Sequence, residues 1–237
     1  GERRTSATPE TVKKMIRLGA DVAIESGAGA AVGFSDDVYA ELGAEIVSDR
    51  AALMSSADMV LRLRKPEHDE VAMLKAGCIH VSYLDPFNER ELITALAKQG
   101  VTAVSMEMIP RSTRSQKMDA LSSQANLAGY VAVMLAAARL PRIFPMLMTP
   151  AGTLKPAKVF IIGAGVAGLQ AIATAKRLGA RVTAFDTRPV VAEQVESLGG
   201  KFLEIDLGET GQTADGYARE LTPEQVEMQR QAQKAVI

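Results

Sequence analysis

Short apolar runs alternate with amphipathic segments along the first part of the chain. The apolar runs are rich in β-branched residues, and the segments between them carry apolar residues at helical spacing. The predicted strands are residues 21–25, 45–48, 59–64, 78–84 and 101–106, and the predicted helices are residues 8–19, 35–43, 50–56, 66–76 and 88–99. Strands that alternate with helices predict a parallel sheet with helices on its faces, so we expect an α/β domain here.

The alternation breaks at residues 107–117, a polar segment that contains Pro110. A long helix is predicted over residues 118–140, and its second half is small and apolar on all sides. A helix of this kind is typically buried, so we expect it to bridge two domains. The prolines that follow mark the link into the next domain, and they are Pro141, Pro145, Pro150 and Pro156.

Residues 158–186 form the most informative stretch, with a strand, a glycine turn, a helix and a second strand in that order. Gly163, Gly165 and Gly168 match the pattern G-x-G-x-x-G, and the second strand ends at Asp186. The first glycine allows a tight turn, the second lets a pyrophosphate approach the backbone, and the third lets the helix pack closely on the sheet. The helix N-terminus offers unpaired N–H groups to the phosphates. This arrangement predicts dinucleotide binding, and the alternative is a glycine-rich turn that binds nothing.

The acid at the strand tip bears on which dinucleotide is bound. Asp186 is placed to accept hydrogen bonds from a ribose 2′-hydroxyl and would repel a 2′-phosphate, which favours NAD. Arg188 lies two residues later and could instead hold that phosphate. Because the acid occupies the tip, we favour NAD(H). Val166 and Thr187 adjoin these residues and complete the predicted cofactor-binding set of this stretch.

The polar segment before the long helix is a second candidate site. Arg111, Arg114, Gln116, Asp119 and Ser122 combine guanidinium, amide, carboxylate and hydroxyl groups. A nicotinamide carboxamide needs both a donor and an acceptor, which the amide, the carboxylate and the hydroxyl could supply. Asp119 could also pair with Arg111 and hold the loop in shape. The alternative is a solvated connecting loop in which Asp119 or Ser122 caps the next helix.

Composition narrows the function classes. The 237 residues carry 27 Lys and Arg against 28 Asp and Glu, so no basic excess suggests nucleic acid. One cysteine, Cys78, excludes a disulfide within the chain, and with His68 and His80 as the two histidines no metal site is predicted. The longest strongly apolar run, residues 127–138, is too short to span a bilayer. The chain starts without Met, and we expect it to be a fragment that lacks the first strand and the C-terminal half of the second domain.

The histidines also bear on the reaction. A dehydrogenase that acts on a carbonyl or an imine usually needs a proton donor such as His or Lys. His68 is expected on a helix surface and His80 inside a strand as a core or edge residue. Hydride transfer between two nicotinamides needs no proton donor, because it needs two rings held face to face.

Three long stretches carry a family resemblance, at residues 110–130, 156–180 and 184–204. In them the chain resembles the NAD(H)-binding component, domain I of the alpha subunit, of proton-translocating nicotinamide nucleotide transhydrogenases, in the family shared with alanine dehydrogenases. The resemblance implies an α/β fold with two parallel-sheet Rossmann-like domains joined by a long helix, the second one incomplete. The implied domains are residues 1–117, a bridging helix at 118–140, and an NAD-binding domain at 141–237.

The resemblance also implies residue roles. The family's Arg-Gln-Asp loop falls on Arg111, Gln116 and Asp119 as the catalytic residues, with Arg114 and Ser122 beside them as cofactor ligands. The family's mobile-loop tyrosine falls on Tyr217, after Gly216. In the family, this component binds NADH and passes hydride directly to NADP⁺ held by a partner domain, which binds NADP(H), while a membrane domain moves protons. The implied assembly is a homodimer, peripheral on the cytoplasmic face of a bacterial inner membrane, with no membrane span in this chain.

Two other functions compete with this one. Alanine dehydrogenases share the stretch at residues 1–10 and carry a catalytic His and a substrate-binding Lys. The matching positions hold Asp85 and Arg64, which counts against amino-acid oxidation. The third function is a non-catalytic NAD-binding module, in which nucleotide binding changes a partner interface.

Overall fold

The chain folds into two compact units, which divide between Asp119 and Ala120. This computed structural model describes residues 2–208, 211 and 219–236. Each unit is built around a parallel sheet. The expected α/β class with two parallel-sheet domains is therefore confirmed.

The first unit alternates helices and strands in the predicted order. Its helices are α1 (Pro9–Arg17), α2 (Asp36–Ala40), α3 (Arg50–Ser56) and α4 (Arg90–Lys98), and its strands are β1 (Ala23–Glu25), β2 (Glu45–Val47), β3 (Met59–Arg64), β4 (Ile79–Tyr83) and β5 (Thr102–Ser105). Short 3₁₀ turns lie at Ala30–Val32, Glu70–Met73, Met106–Met108 and Thr113–Met118. Strands β1 and β2 form one parallel pair, and β3, β4 and β5 form a parallel sheet in that order.

Local sequence signals begin and end these helices. The Thr8 hydroxyl accepts a hydrogen bond from the Thr11 N–H at 3.3 Å, and Pro9 occupies the first turn, where a missing N–H costs nothing. Asp49 caps α3 in the same way through the Ala52 N–H at 3.1 Å. Gly19 follows α1 with a φ of 87°, a conformation that glycine adopts without strain.

A cavity of about 860 Å³ separates the two sheets of the first unit, and residues of both β1 and β3 line it. In the doubly wound order 3-2-1-4-5-6, β2 and β1 correspond to the third and second strands, and β3, β4 and β5 to the last three. The expectation that a first strand belongs to this domain stays a prediction.

One predicted helix of the first unit is wrong. Residues 66–76 contain the short 3₁₀ turn Glu70–Met73 instead of an α-helix. The reason is tertiary: the buried Glu70 carboxylate accepts hydrogen bonds from Arg50 and Arg62, both at 2.8 Å, and from the Glu67 N–H at 2.9 Å. A buried charge is stable only with its partners, so the backbone around Glu70 turns toward the interior. His68, expected on a helix surface, accordingly lies in an exposed turn.

The second unit contains α5 (Ala120–Arg139), β6 (Leu147–Thr149), β7 (Gly152–Leu154), β8 (Lys158–Ile162), α6 (Val166–Arg177), β9 (Arg181–Phe185), a 3₁₀ turn (Pro189–Val191), α7 (Ala192–Ser197), β10 (Lys201–Phe202) and α8 (Pro223–Lys234). Strands β10, β9 and β8 form a parallel sheet in that order. This is the 3-2-1 half of the doubly wound sheet. Its core is formed largely by small and branched side chains of β9, α6 and α7.

The proline-rich link also contains a feature that the sequence did not predict. Strands β6 and β7 pair antiparallel as a hairpin, with Pro150 and Ala151 between them. The Thr149 hydroxyl donates to the Gly152 carbonyl at 2.9 Å, and Gly152 has a φ of 136°. Every residue of both strands is exposed, so burial imposes no apolar alternation that would have indicated a strand.

Helix α5 buries one narrow stripe rather than its whole surface. Gly129 and Val133 are buried, whereas Leu127, Tyr130 and Leu135 are exposed to about half. The expectation of all-round burial is therefore wrong for the described residues. Helix α5 is long and apolar enough to cross a membrane, by length and composition only. Core helices of soluble proteins meet the same criterion. In the apolar window of α5, 11% of the residues are buried.

His80 of β4 is fully buried, and neither of its ring nitrogens has a hydrogen-bond partner among the described residues. Burial, with a smaller contribution from the nearby Arg62, lowers the pKa of His80 to about 4, and Glu70 opposes this change. The imidazole is therefore neutral at neutral pH. Of the two expected settings, core or edge, the structure shows the core.

Acidification is therefore expected to destabilise the protein through His80. Between pH 6.5 and about 4 the unfolded chain binds a proton at this residue and the folded chain does not, so stability falls as pH falls. At about 1.4 kcal/mol per pKa unit, the loss amounts to roughly 3 kcal/mol at most. Urea unfolding at several pH values should show a flatter pH dependence for His80→Leu. The exposed His68→Leu is the control, and an unchanged pH dependence in His80→Leu would contradict this account.

Candidate functional site

Each glycine in the turn between β8 and α6 has a different structural setting. Gly163 has a φ of 94°, and its N–H donates to the Phe185 carbonyl at 2.7 Å, which ties the turn to β9. A Cβ on Gly168 would lie 1.7 Å from the Gly163 carbonyl oxygen. A Cβ on Gly165 would meet nothing within 4 Å, so the space beside this residue is open. The turn thus has one face closed by backbone packing and one position open to a ligand.

The first turn of α6 is available to an anion. Gly165 is its N-cap and supplies no side-chain oxygen to the first N–H groups. Helix N-termini leave these donors without intrahelical partners, and the helix dipole favours negative charge there. Val166, the first residue of the helix, is partly exposed. A dinucleotide pyrophosphate fits this combination of open backbone and uncapped donors.

Asp186 is fixed at the end of β9 by hydrogen bonds to both carboxylate oxygens. Oδ2 accepts from the Ala164 N–H at 2.7 Å and from Arg188 Nη2 at 2.9 Å, and Oδ1 accepts from Arg188 N and Nε, both at 2.9 Å. Burial alone would raise the pKa of Asp186, but the hydrogen bonds from Arg188 and Ala164 outweigh it and lower the pKa. The carboxylate is therefore charged at neutral pH.

These bonds fill the acceptor capacity of the carboxylate, which is about four hydrogen bonds. A ribose hydroxyl that binds Asp186 must therefore displace or share a bond from Arg188. The ion pair also holds the Arg188 guanidinium against Asp186. The cation that could bind a 2′-phosphate is therefore paired with the acid that would repel one. Sequence reasoning did not find the contribution of Ala164, because a backbone donor leaves no mark in residue type.

The polar loop belongs to the first unit. Arg111 Nε lies 3.5 Å from Asp119 Oδ2, so the predicted ion pair is present. The loop forms the 3₁₀ turn Thr113–Met118, capped by the Ser112 hydroxyl, and the Asp119 N–H donates to the Gln116 carbonyl at 3.3 Å. The side chains of Arg114 and Gln116 are exposed. The loop therefore has a defined backbone that presents an amide and a guanidinium to solvent.

Two of the remaining predicted residues, Ser122 and Thr187, lie in the part of the chain that the structure describes. Ser122 is half-buried in the first turn of α5, in the second unit, and Thr187 lies half-buried between Asp186 and Arg188. Gly216 and Tyr217 lie outside the described residues.

Comparison with known proteins identifies the architecture. Residues 1–128 match the family model "Alanine dehydrogenase/PNT, N-terminal domain", and residues 132–237 match "Alanine dehydrogenase/PNT, C-terminal domain". The chain belongs to the alanine dehydrogenase/PNT family. The boundary between the two family domains falls within α5, which confirms a long helix between them. The C-terminal domain of this family is its NAD(H)-binding Rossmann domain.

Relatives within the alanine dehydrogenase/PNT family include both branches. The chain is 48% identical over 231 residues to an NAD(P) transhydrogenase subunit alpha polypeptide of Rhodospirillum rubrum, covering 94% of this chain and 60% of the relative. It is similar to the crystal structure of transhydrogenase from Sinorhizobium meliloti, with a TM-score of 0.82, 49% identity, and coverage of 86% and 60%. An L-alanine dehydrogenase structure matches with a TM-score of 0.74, 30% identity, and coverage of 85% and 57%. The chain thus spans about 60% of the length of these relatives.

Two positions at which sequence analysis expects an alanine dehydrogenase to differ, 64 and 85, make structural contacts in this chain. Arg64 Nε lies 3.3 Å from Glu2 Oε2. Asp85 has a φ of 52°, its N–H donates to the Glu107 carboxylate, and its Oδ1 accepts from Asn88 Nδ2 at 2.9 Å. Neither position offers the imidazole or the ammonium group that sequence analysis expects of an alanine dehydrogenase.

The Asp186–Arg188 pair predicts a change in nucleotide preference. Asp186→Asn keeps an acceptor for Ala164 but loses the charge, so NADH affinity should fall by about tenfold, the worth of one charged hydrogen bond. Arg188 would then be released toward a 2′-phosphate, and NADPH affinity should rise. Titrations followed by nucleotide fluorescence would measure both.

The double variant Asp186→Asn/Arg188→Met should lose the gain in NADPH affinity. Glu193→Gln, an exposed acid on α7, is the control and should bind both nucleotides as the parent does. If Asp186→Asn keeps the parental preference for NADH, the acid does not set the selectivity.

Proposed function

We propose that this chain is the NAD(H)-binding component of a proton-translocating NAD(P) transhydrogenase, which transfers hydride between NADH and NADP⁺ held by a partner domain. The 48% identity to the Rhodospirillum rubrum transhydrogenase subunit carries the proposal. Asp186, which follows β9 and accepts a hydrogen bond from Ala164 of the glycine turn, supports NAD(H) rather than NADP(H) as the resident nucleotide of this chain. When bound, the nicotinamide cofactor supplies or accepts the hydride.

The residues of the chain act by binding and by orientation. The uncapped first turn of α6 and the open position at Gly165 suit the pyrophosphate, with Gly163, Val166 and Gly168 shaping the turn. Asp186, Thr187 and Arg188 border the ribose position. These assignments rest on the shape of the turn and on the chemistry of its donors and acceptors.

The polar loop is proposed to hold the nicotinamide end. Gln116 and Asp119 offer a donor and an acceptor to the carboxamide, and the 3.5 Å ion pair with Arg111 keeps Asp119 in place. Arg114 and Ser122 add a cation and a hydroxyl. Gly216 and Tyr217, which lie outside the described residues, are proposed as further cofactor-binding residues. Orientation of this kind is the main catalytic requirement, because a nicotinamide acceptor needs no proton.

The distribution of proton donors favours this reaction over oxidation of an amino acid. His80 is buried inside β4, and His68 lies in an exposed turn. Arg64 and Asp85 stand at the positions where alanine dehydrogenases carry Lys and His. A reaction that takes hydride without a proton is compatible with all four positions.

The partners follow from the same proposal. An NADP-binding domain and a membrane proton-channel domain complete the complex, and this chain lies peripherally on the cytoplasmic face of the inner membrane. We also propose a homodimer. Exposed apolar side chains of the second unit support it, on α5 and on the β6–β7 hairpin: Leu127, Tyr130, Leu135, Leu147 and Met148. Exposed apolar surface of this kind marks interaction sites on soluble proteins.

Hydride exchange tests the catalytic assignment. The protein, at the full length of its matched relatives, is mixed with a transhydrogenase NADP-binding domain, and exchange between the two nucleotides is followed by absorbance. Gln116→Ala and Asp119→Ala should each slow exchange by roughly a hundredfold, because a nicotinamide misplaced by about 1 Å loses alignment. The exposed Lys117→Ala, in the same 3₁₀ turn, is the control and should exchange at the parental rate.

Each other result favours a different function. Parental rates in both variants would show that the loop is not the nicotinamide site. Alanine-dependent reduction of NAD⁺ by the parent would favour the alanine dehydrogenase activity. Binding of NADH without exchange in any mixture would favour the non-catalytic module.

The dimer has its own test. Leu127→Glu and Leu135→Glu place charge on the exposed apolar side of α5 and should weaken association by at least about tenfold in Kd, as loss of an interface anchor does. Sedimentation equilibrium measures the mass. Leu18→Glu, an equally apolar exposed position in the first unit, should leave the mass unchanged. A parent that is monomeric, or α5 variants that remain dimeric, would contradict the proposed surface.

A further inference from the structure

Gly129 occupies the middle of helix α5, where glycine is unfavourable. Glycine is a poor helix former relative to alanine, because it loses more backbone freedom. No left-handed backbone conformation accounts for it, since the glycines with positive φ do not include this position. The residue is buried, so the reason must be a contact.

That contact is with the backbone of α6. A Cβ at position 129 would lie 2.1 Å from the Ala167 carbonyl oxygen, 2.9 Å from its carbonyl carbon and 3.1 Å from its Cα. These atoms belong to the main chain and cannot rotate away, so a methyl group here must move one helix relative to the other by about 1 Å. The missing side chain therefore sets how closely α5 lies on α6.

Ala167 is the second residue of α6, in the turn that offers its N–H groups to the phosphates. The same turn is held on the strand side by Gly168, whose Cβ would collide with the Gly163 carbonyl at 1.7 Å. A displacement forced at Ala167 cannot be absorbed toward Gly163, because that contact is already backbone against backbone. The first turn and its N–H groups must then shift or tilt.

We propose that Gly129 is a positioning residue for the dinucleotide, because it lets α5 fix the first turn of α6 and the glycine loop. It acts through Ala167 and does not touch the nucleotide. The inference rests on the proposed NAD(H) binding. A side chain at position 129 should lower the affinity for the dinucleotide as well as the stability of the fold. The backbone atoms of Ala167 that it displaces adjoin the N–H groups proposed to bind the phosphates.

Gly129→Ala is the test, and Val133→Ala is its matched control. Val133 lies one turn further along the same buried stripe and is 5% exposed. Truncating it removes atoms and creates no steric clash. Gly129→Ala should raise the Kd for NADH by at least about tenfold, since small misplacements at a binding constellation are costly. In the free protein it should also move the backbone amide NMR signals of residues 163–169. Val133→Ala should lower the thermal midpoint and leave both the Kd, within about twofold, and those signals unchanged.

The outcomes separate this inference from the proposed function. Unchanged amide signals in Gly129→Ala, or moved signals with an unchanged Kd, would overturn the positioning role. A parent that binds no NADH would overturn the proposed function and the inference with it. If Gly129→Ala does not fold, Val133→Leu widens the same helix pair. It should then raise the Kd and move the same signals to a smaller extent, and an unchanged Kd would again overturn the proposal.

Discussion

Backbone lies directly against backbone at the turn between β8 and α6, and the second unit depends on this contact. Gly168 meets the Gly163 carbonyl, and Gly129 of α5 meets the Ala167 carbonyl, at distances that exclude a Cβ. Side chains that collide can change rotamer, but main-chain atoms of two regular elements cannot. Close packing here leaves the first turn of α6 rigid and its N–H groups uncapped. The proposed anion site thus depends on the absence of side chains.

Asp186 joins this turn to the second strand of the unit. Its carboxylate receives the Ala164 N–H and three bonds from Arg188, so one charged group fixes the loop and restrains a cation at the same time. The bonds to a charged acceptor are stronger than neutral ones, and they compensate for the loss of solvent around a buried carboxylate. The geometry of the site and the proposed preference for NAD(H) therefore have a common cause.

The first unit uses buried charge where the second uses backbone contact. Glu70 is held between Arg50 and Arg62, and it draws the segment between β3 and β4 into the interior. Removing Glu70 would leave the largely shielded Arg62 without this counter-charge, which is costly, whereas the half-exposed Arg50 keeps its ion pair with Glu25. His80 lies near this cluster and remains neutral because burial opposes its protonation.

Residue order alone was enough to predict the alternation of strands and helices, the glycine turn, the acid at its end and the ion pair between Arg111 and Asp119. These features are local, since they depend on residue spacing, on caps such as Thr8 and on the conformational freedom of glycine. Three other features emerged only in the folded chain: residues 66–76 do not form an α-helix, the proline-rich link forms a hairpin, and α5 buries a single stripe. The folded chain also revealed the hydrogen bond from Ala164 to Asp186 and the close contact of Gly129 with Ala167. The hairpin is local, but its exposed strands carry no apolar alternation that would indicate them. The other features depend on partners further away in the chain, and a one-dimensional pattern does not record which distant backbone or charge a residue will meet.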